Sequence, residues 1–523
     1  MPINATYEVF CSKEELPILA KAIAWEQTVE VVESVVSDSI RDQLVGKISD
    51  IRPGSNAHEI DIQYNPVLAS NSLGQLFNLA YGNVSLYRNV RLTKFNIPNS
   101  LADTIKGPQF GIDGIRKLTG VFDRPLLSTA LKPRGESIEK LASIAHSFAL
   151  GGGDIIKDDQ NLVDEDLEIF KARVYACAKA VEAACQVTGR CCLYLPHITG
   201  SGRQLERQLE FIKAIGLQGV LMCPMILGLE TAKQAAFDYQ LIYMAHPALA
   251  GSFYRPTQHG INADILQGLF YRLSGADISI FTSEGGRIST SLQTCQNIQH
   301  QLTQPLGKIN KTMPCPAGGN TLDLIPRTIQ TYGKDVLILC GGALLSHDKN
   351  LTTSTKIFAN AVRENHTGIQ RETTLPKVKK PNYAAQFLKK TAEGWQNRQA
   401  IAYKTDQTLS HQNASKVELL GQQNEDIAFS LRYFELQPGG YTSLEQHQHT
   451  HTVIGAKGIG ELQMGNTLNI LKAHDIAYIP GHMAHQLRNH SEQPFGFYCI
   501  VDRRRDRPTH ISTNSDKQAD KLK

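Results

Sequence analysis

One unit, repeated eight times, constrains this chain more than anything else in it: a short apolar run, a polar loop, then a stretch with helical spacing. From about Arg124 to Glu364 the runs are PLLSTALKP, GDIIKDD, CCLYLPHITG, GVLMCPMI, QLIYMAHPA, ADISIFTSE, KTMPCPAGG and DVLILCGGALL. Between them lie segments such as SIEKLASIAHSFALGG and DLEIFKARVYACAKAVEAACQVTG, several closed by the glycine that ends a helix readily. Strands alternating with helices call for a parallel sheet, since each crossover returns the chain to the same end. Eight such units predict a closed (β/α)8 barrel. An open doubly wound sheet is the alternative.

Outside this stretch the pattern changes. Residues 1–123 mix strand-like and helical runs without strict alternation and read as a smaller α+β domain. Residues 365–417 open on RENHTGIQRETTLPKVKKPNYAAQFLKKTAEGWQNRQ, polar and charged, and read as a partly helical linker. Short alternating strands with glycine turns over 418–505 predict an all-β domain. Residues 506–523 read as a solvated tail.

Composition narrows the function classes. With 41% hydrophobic and 20% charged residues, the 523-residue chain can bury large cores. A net charge of +4 implies no general attraction to nucleic acid. Ten cysteines without a CxxC pair fit a reducing compartment better than a disulfide framework. The start, MPINATYEVFCSKEELP, is not a signal peptide, and no run of about 18 apolar residues exists to span a membrane. A soluble cytoplasmic protein is expected.

A barrel of this kind carries its chemistry at the C-terminal ends of its strands. There the sequence sets Lys132 after the first strand, Lys157 and Asp159 at the second, His246 at the fifth, and Glu284 and Arg287 after the sixth. The pairs Gly318-Gly319 and Gly341-Gly342 follow strands seven and eight, where exposed backbone N–H groups can cradle a phosphate. Tight turns would explain the glycines alone, and surface snorkelling either lysine alone. Their collection on one face points to a site.

GGGDIIKDDQN and STALKPRG resemble the GGxDxxKxDEN and KPKLG motifs of the RuBisCO large-chain superfamily. The similarity runs from about residue 20 to 350 and includes AYGNVSLYRNVRLTKFNIP and GPQFGIDGIR. The resemblance implies a ferredoxin-like N-terminal domain before the barrel and a homodimer or larger homo-oligomer, with Asn83 supplied to the partner subunit's active site. It implies a carbamylated Lys157 and Asp159 as Mg²⁺ ligands, and Lys132 as the catalytic lysine; hard oxygen donors suit Mg²⁺. It also exposes departures. Gln160 stands where the family has a glutamate ligand, so the metal is expected to be held less tightly. Pro247, Ile280 and Ala317 stand where RuBisCO has an arginine, a histidine and a serine around one substrate phosphate. Arg287 replaces the mobile-loop lysine needed for carboxylation. A RuBisCO-like protein acting on a sugar monophosphate, and not a CO2-fixing carboxylase, is expected.

GGYTSLEQHQHTHTVIGAKG and AHDIAYIPGHMAHQLRN resemble the two motifs of a cupin. On that register the metal ligands are Glu445, His447, His451 and His485, with His449 on the same strand face as a substitute; three imidazoles and a carboxylate suit Mn²⁺, Fe²⁺, Ni²⁺ or Zn²⁺. A histidine-rich strand that binds nothing is the plain alternative.

Three functions follow from these resemblances. The first is a 5-methylthioribulose 1-phosphate isomerase of methionine salvage, with the cupin acting on the product; a diketo-methylthiopentyl phosphate enolase is its near variant. The second is a decarboxylase or hydrolase of a branched sugar-acid phosphate such as 3-oxo-isoapionate 4-phosphate. The third is a non-catalytic sugar sensor, against which the retained Lys132, Lys157 and Asp159 weigh.

Overall fold

A computed structural model describes residues 1–69, 72–164, 166–284, 288–365, 388–391, 394–396, 398–403, 411–421, 429–502 and 509–510. It divides into two compact units, Met1–Ile369 and Gln370–Lys523. In the first, strands Ile3–Val9, Lys47–Arg52, His58–Tyr64 and Val90–Asn96 form an antiparallel sheet ordered fourth, first, third, second. Helices Leu16–Glu26 and Leu73–Tyr81 supply the crossovers, which is the ferredoxin-like arrangement. Strict alternation makes the first strand: Ile3, Ala5, Tyr7 and Val9 are all buried. A two-residue strand from the barrel region, Gly260–Ile261, pairs parallel to Val90–Asn96 and covers that sheet edge.

All eight expected barrel strands form: Leu126–Leu131, Ile155–Asp158, Leu193–Leu195, Gly219–Met222, Ile242–Ala245, Ile278–Thr282, Met313–Ala317 and Leu337–Leu339. Parallel ladders join the eighth, first, second and third, and separately the fourth to the seventh. A bridge from His197 to Leu221 links the third to the fourth. Between seventh and eighth, Asn320 donates to the carbonyls of Pro316 (2.7 Å) and Leu339 (3.0 Å). One apolar residue from each strand meets inside: Leu126, Ile155, Leu193, Leu221, Ile242, Ile278, Met313 and Leu337. Ile112 and Ile115 of helix Gly111–Thr119 pack into this same core, so a helix from the region read as N-terminal domain serves the barrel. Ser137, Asp166, Ser291 and Asn350 cap the helices after strands one, two, six and eight by accepting backbone N–H groups of the first turn.

The second unit is an antiparallel β-barrel. Its strands run, in spatial order, Thr467–Lys472, Ile459–Met464, His485–Arg488, Phe429–Tyr441, Phe495–Asp502, His451–Lys457 and Ile476–Ile479. Phe434, Leu436, Val453, Leu462, Leu487 and Phe497 fill it. Two expectations change here. The stretch read as a partly helical linker holds no helix among its described residues beyond Asn365. It forms strands Lys390–Thr391, Gly394–Trp395 and Ile401–Ala402, and the strand Gln412–Leu420 crosses the expected boundary at 417. The cause is its scattered aromatics: Trp395 packs on Tyr433 and Tyr498, at 6.1 and 6.2 Å between ring centres, and Tyr403 packs against the barrel interior. Within the expected tail, Thr509–His510 pairs with Glu445–Gln446, whose backbone edge needs hydrogen-bond partners.

Candidate active sites

Strand periodicity builds the first site. In IIKDD, Lys157 and Asp159 share one side while Asp158 takes the other. Asp158 is fully buried and accepts from Arg173 Nη1 (2.7 Å), Tyr194 Oη (2.8 Å) and the His197 backbone N–H (2.9 Å). Arg173, on helix Leu167–Thr188, also pairs with Asp164 at 2.8 Å. This network clamps the second strand from behind. The three glycines before it serve packing: Gly152 has φ +94°, and a Cβ on Gly153 would overlap the Phe148 ring.

On the other side lies a cavity of about 810 Å³, lined by Lys132, Lys157, Asp159, Gln160 and His246. The Lys157 side chain is 2% exposed and donates to the Asp158 carbonyl at 2.9 Å. Burial brings its pKa down from 10.5 to about 8; Asp159 opposes this fall and Lys132 adds to it. Lys132 Nζ sits 2.8 Å from Asp159 Oδ2, and the Asn161 N–H donates to Oδ1 at 3.0 Å. Burial alone would raise the Asp159 carboxyl, but Lys132 and these contacts hold it below the ordinary range. Burial, then Lys157, push His246 well below the ordinary histidine range. Its Nδ1 accepts from the Ala248 N–H at 3.1 Å, which assigns the ring proton to Nε2.

All four glycines Gly318, Gly319, Gly341 and Gly342 line the same cavity. A Cβ on Gly318, Gly341 or Gly342 would meet no protein atom within 4 Å, so the space beside the backbone is open; Gly318, at φ +90°, is required by its backbone conformation as well. Pro247, Ile280 and Ala317 also line it and give it an apolar wall. The donors fit a hard divalent cation: a buried amine able to lose its proton and take up CO2, a buried carboxylate, and the Gln160 amide. Asn83 is not among the cavity's lining residues; its amide donates to Glu26 Oε1 at 3.0 Å in the N-terminal domain. Glu284 is held by Arg327 at 2.7 Å. Arg287 lies outside the described residues.

In the second unit, His447, His451 and His485 are buried with their ligand atoms all within 4.8 Å of one another. The Nδ1–H groups of His447 and His485 donate to the carbonyls of His449 and Met483, both at 2.9 Å. That fixes the tautomer and turns each Nε2 lone pair outward, and His447 Nε2 is buried with no hydrogen-bond partner. Burial and the neighbouring imidazoles hold His451 far below the ordinary range, hence neutral. A borderline first-row cation fits this donor set. Glu445 lines the same small cavity opposite His485 in the strand register, and its carboxylate accepts from Ser443 Oγ (3.0 Å) and Tyr403 Oη (3.5 Å); it is not in the group of three whose ligand atoms lie within 4.8 Å. His449 Nε2 lies 3.1 Å from His451 Nε2.

Sequence reasoning passed over Asp158 and its arginine clamp, and Tyr403, Arg432 and Cys499 in the second cavity. Asp158 was legible from the period-two pattern. The others come from separate elements, Arg173 from a helix and the rest from different parts of the second unit, and carried no local signal.

The profile of the family described as ribulose bisphosphate carboxylase large chain, catalytic domain, matches residues 111–380, and that of the cupin domain matches residues 432–501. The ribulose bisphosphate carboxylase-like protein 1 of Rhodopseudomonas palustris is 37% identical over 363 residues, 69% of this chain and 97% of the relative. The 5-methylthioribulose-1-phosphate isomerase of Rhodospirillum rubrum is 36% identical over 365 residues, 69% of this chain and 96% of the relative. The crystal structure of a Rubisco-like protein from Rhodopseudomonas palustris superposes with a TM-score of 0.63 at 34% identity, covering 69% of this chain and 98% of that one.

Proposed function

Since the chain belongs to the RuBisCO large-chain family, as a RuBisCO-like protein followed by a cupin domain, we propose that its barrel enolises a sugar monophosphate, acting as a 5-methylthioribulose 1-phosphate isomerase. The observation that carries this reading is the make-up of one cavity: Lys132, Lys157 and Asp159 line it together with glycines that have open space beside them and with the apolar Pro247, Ile280 and Ala317. A phosphate suits the glycine backbone and a methylthio group the apolar wall. A second phosphate would find no charged partner among Pro247, Ile280 and Ala317, and Arg255 alone of the described arginines lines the cavity, so a monophosphate is expected to bind better than ribulose bisphosphate.

Carbamylated Lys157, Asp159 and Gln160 would hold Mg²⁺, which supplies Lewis-acid stabilisation of negative charge on the substrate oxygens. Lys132 takes the proton from the carbon beside the ketone. To act as a base it must leave its 2.8 Å contact with Asp159. His246, neutral with its proton on Nε2, can donate a hydrogen bond to a substrate oxygen without a charge. Asn83, away from its own cavity, serves the partner subunit's site in a homodimer. The cupin, holding Mn²⁺, Fe²⁺, Ni²⁺ or Zn²⁺ on its histidines, acts on the barrel's product.

Incubation of the full chain with Mg²⁺, bicarbonate and 5-methylthioribulose 1-phosphate, followed by phosphorus and proton NMR in D2O, tests this. An isomerised product with solvent deuterium at carbon, lost in Lys132→Ala, is expected. No turnover of that compound together with CO2 release from 3-oxo-isoapionate 4-phosphate would replace the isomerase by a decarboxylase.

A further inference from the structure

The second cavity holds a cation that its histidines do not explain. Arg432, on the inner face of strand Phe429–Tyr441, lines it together with the imidazoles. Its guanidinium lies over the Phe434 ring, 5.2 Å from the centre, and Nη2 contacts Cys499 Sγ at 3.3 Å. Cys499 Sγ is in turn 3.6 Å from His451 Nδ1. The cross-strand register enforces this row, since Arg432 stands opposite Cys499 and Cys499 opposite Val453.

What the row lacks is an anion. Arg432 Nε is buried with no hydrogen-bond partner, and no carboxylate lies within ion-pair distance of this guanidinium among the described residues. Glu418, which stands opposite Arg432 on the neighbouring strand, pairs with Lys416 through Oε1 at 3.1 Å, and its buried Oε2 makes no hydrogen bond to the guanidinium. Glu445, inside the cavity, is engaged by Ser443 and Tyr403. Stacking on a ring and touching a thiol leave a guanidinium's charge unmatched, and its planar fork is suited to a carboxylate. A divalent cation on the histidines would add positive charge beside it.

We infer that Arg432 is the specificity-determining residue of an oxyanion site in the cupin cavity, which takes a small carboxylate or enolate with one end toward the histidine centre and the other on the guanidinium. The inference rests on the histidines holding a metal. The cavity, about 60 Å³, is far smaller than that of the (β/α)8 barrel. Phe434 and Phe497, stacked 5.2 Å apart, wall it with apolar surface that strengthens an ionic contact.

Oxalate is the probe. The full chain is loaded with Co²⁺, its metal content measured, and oxalate titrated while the Co²⁺ absorption bands and the heat of binding are followed. Arg432→Met and Arg432→Gln are expected to retain Co²⁺ and to bind oxalate at least tenfold more weakly, with the spectral change in the bands reduced alike. His447→Ala is expected to lose one Co²⁺. Retained Co²⁺ with unaltered oxalate affinity in both Arg432 variants would overturn the assignment, as would a wild-type chain that binds no oxalate. If His447→Ala keeps its full Co²⁺ content, the metal reading fails and the inference falls with it, whatever the Arg432 variants do; if His447→Ala loses its Co²⁺ and the Arg432 variants bind oxalate as the wild type does, the inference alone fails.

Discussion

Carbamylation of Lys157 requires its neutral amine, so the structure sets how readily CO2 can react. With its pKa at about 8, about a tenth of Lys157 is neutral at pH 7; a lysine at 10.5 would be neutral to about 0.03%, roughly 300-fold less. Exposure of the chain to 13C-labelled bicarbonate should therefore give one carbamate carbon signal, rising with pH to half its limit near 8 and absent in Lys157→Met. The direction of change in neighbours is also set. Asp159→Asn removes the charge that favours the ammonium and should lower the midpoint; Lys132→Met removes a repelling cation and should raise it. The fold bears the cost of the buried ammonium fully below pH 8, about 3 kcal/mol at 1.36 kcal/mol per decade, and loses that cost as pH rises from about 8 to 10.5. Lys157→Met should thus be more stable to urea than wild type at pH 7 and lose that advantage at pH 10.5. A carbamate signal that persists in Lys157→Met, or a midpoint near 10.5, would refute the reasoning.

Two further outcomes test the support of the site. Asp158→Asn leaves Arg173 short of a buried partner and should destabilise the first unit by roughly 3–5 kcal/mol in urea, whereas a change within error would mean that Asp164 alone suffices for Arg173. Gly153→Ala forces a methyl group into the Phe148 ring and should cost about 1–3 kcal/mol, read as a lower thermal midpoint; an unchanged midpoint would show that the ring has room to turn aside.

By itself the sequence determined the parts whose information is local. Eight apolar runs spaced by helices specify a parallel barrel because strand and helix periods repeat along the chain, and Lys132, Lys157, Asp159 and the glycine pairs could be placed at strand ends by counting alone. The histidine run likewise marked the imidazoles that gather, though His447 and His449 lie outside the strands, between Glu445–Gln446 and His451–Lys457, and not on one strand face. Only the tertiary structure decided what surrounds them. It set Arg173 and Tyr194 behind Asp158, drew helix Gly111–Thr119 into the barrel core, brought Tyr403 from an apparent linker to Glu445, and left Arg432 beside the histidines without an ion-pair partner among the described residues. Each of these depends on segments far apart in the chain meeting through sheet register and packing, and a burial penalty such as the one that lowers Lys157 exists only once the walls around it are in place.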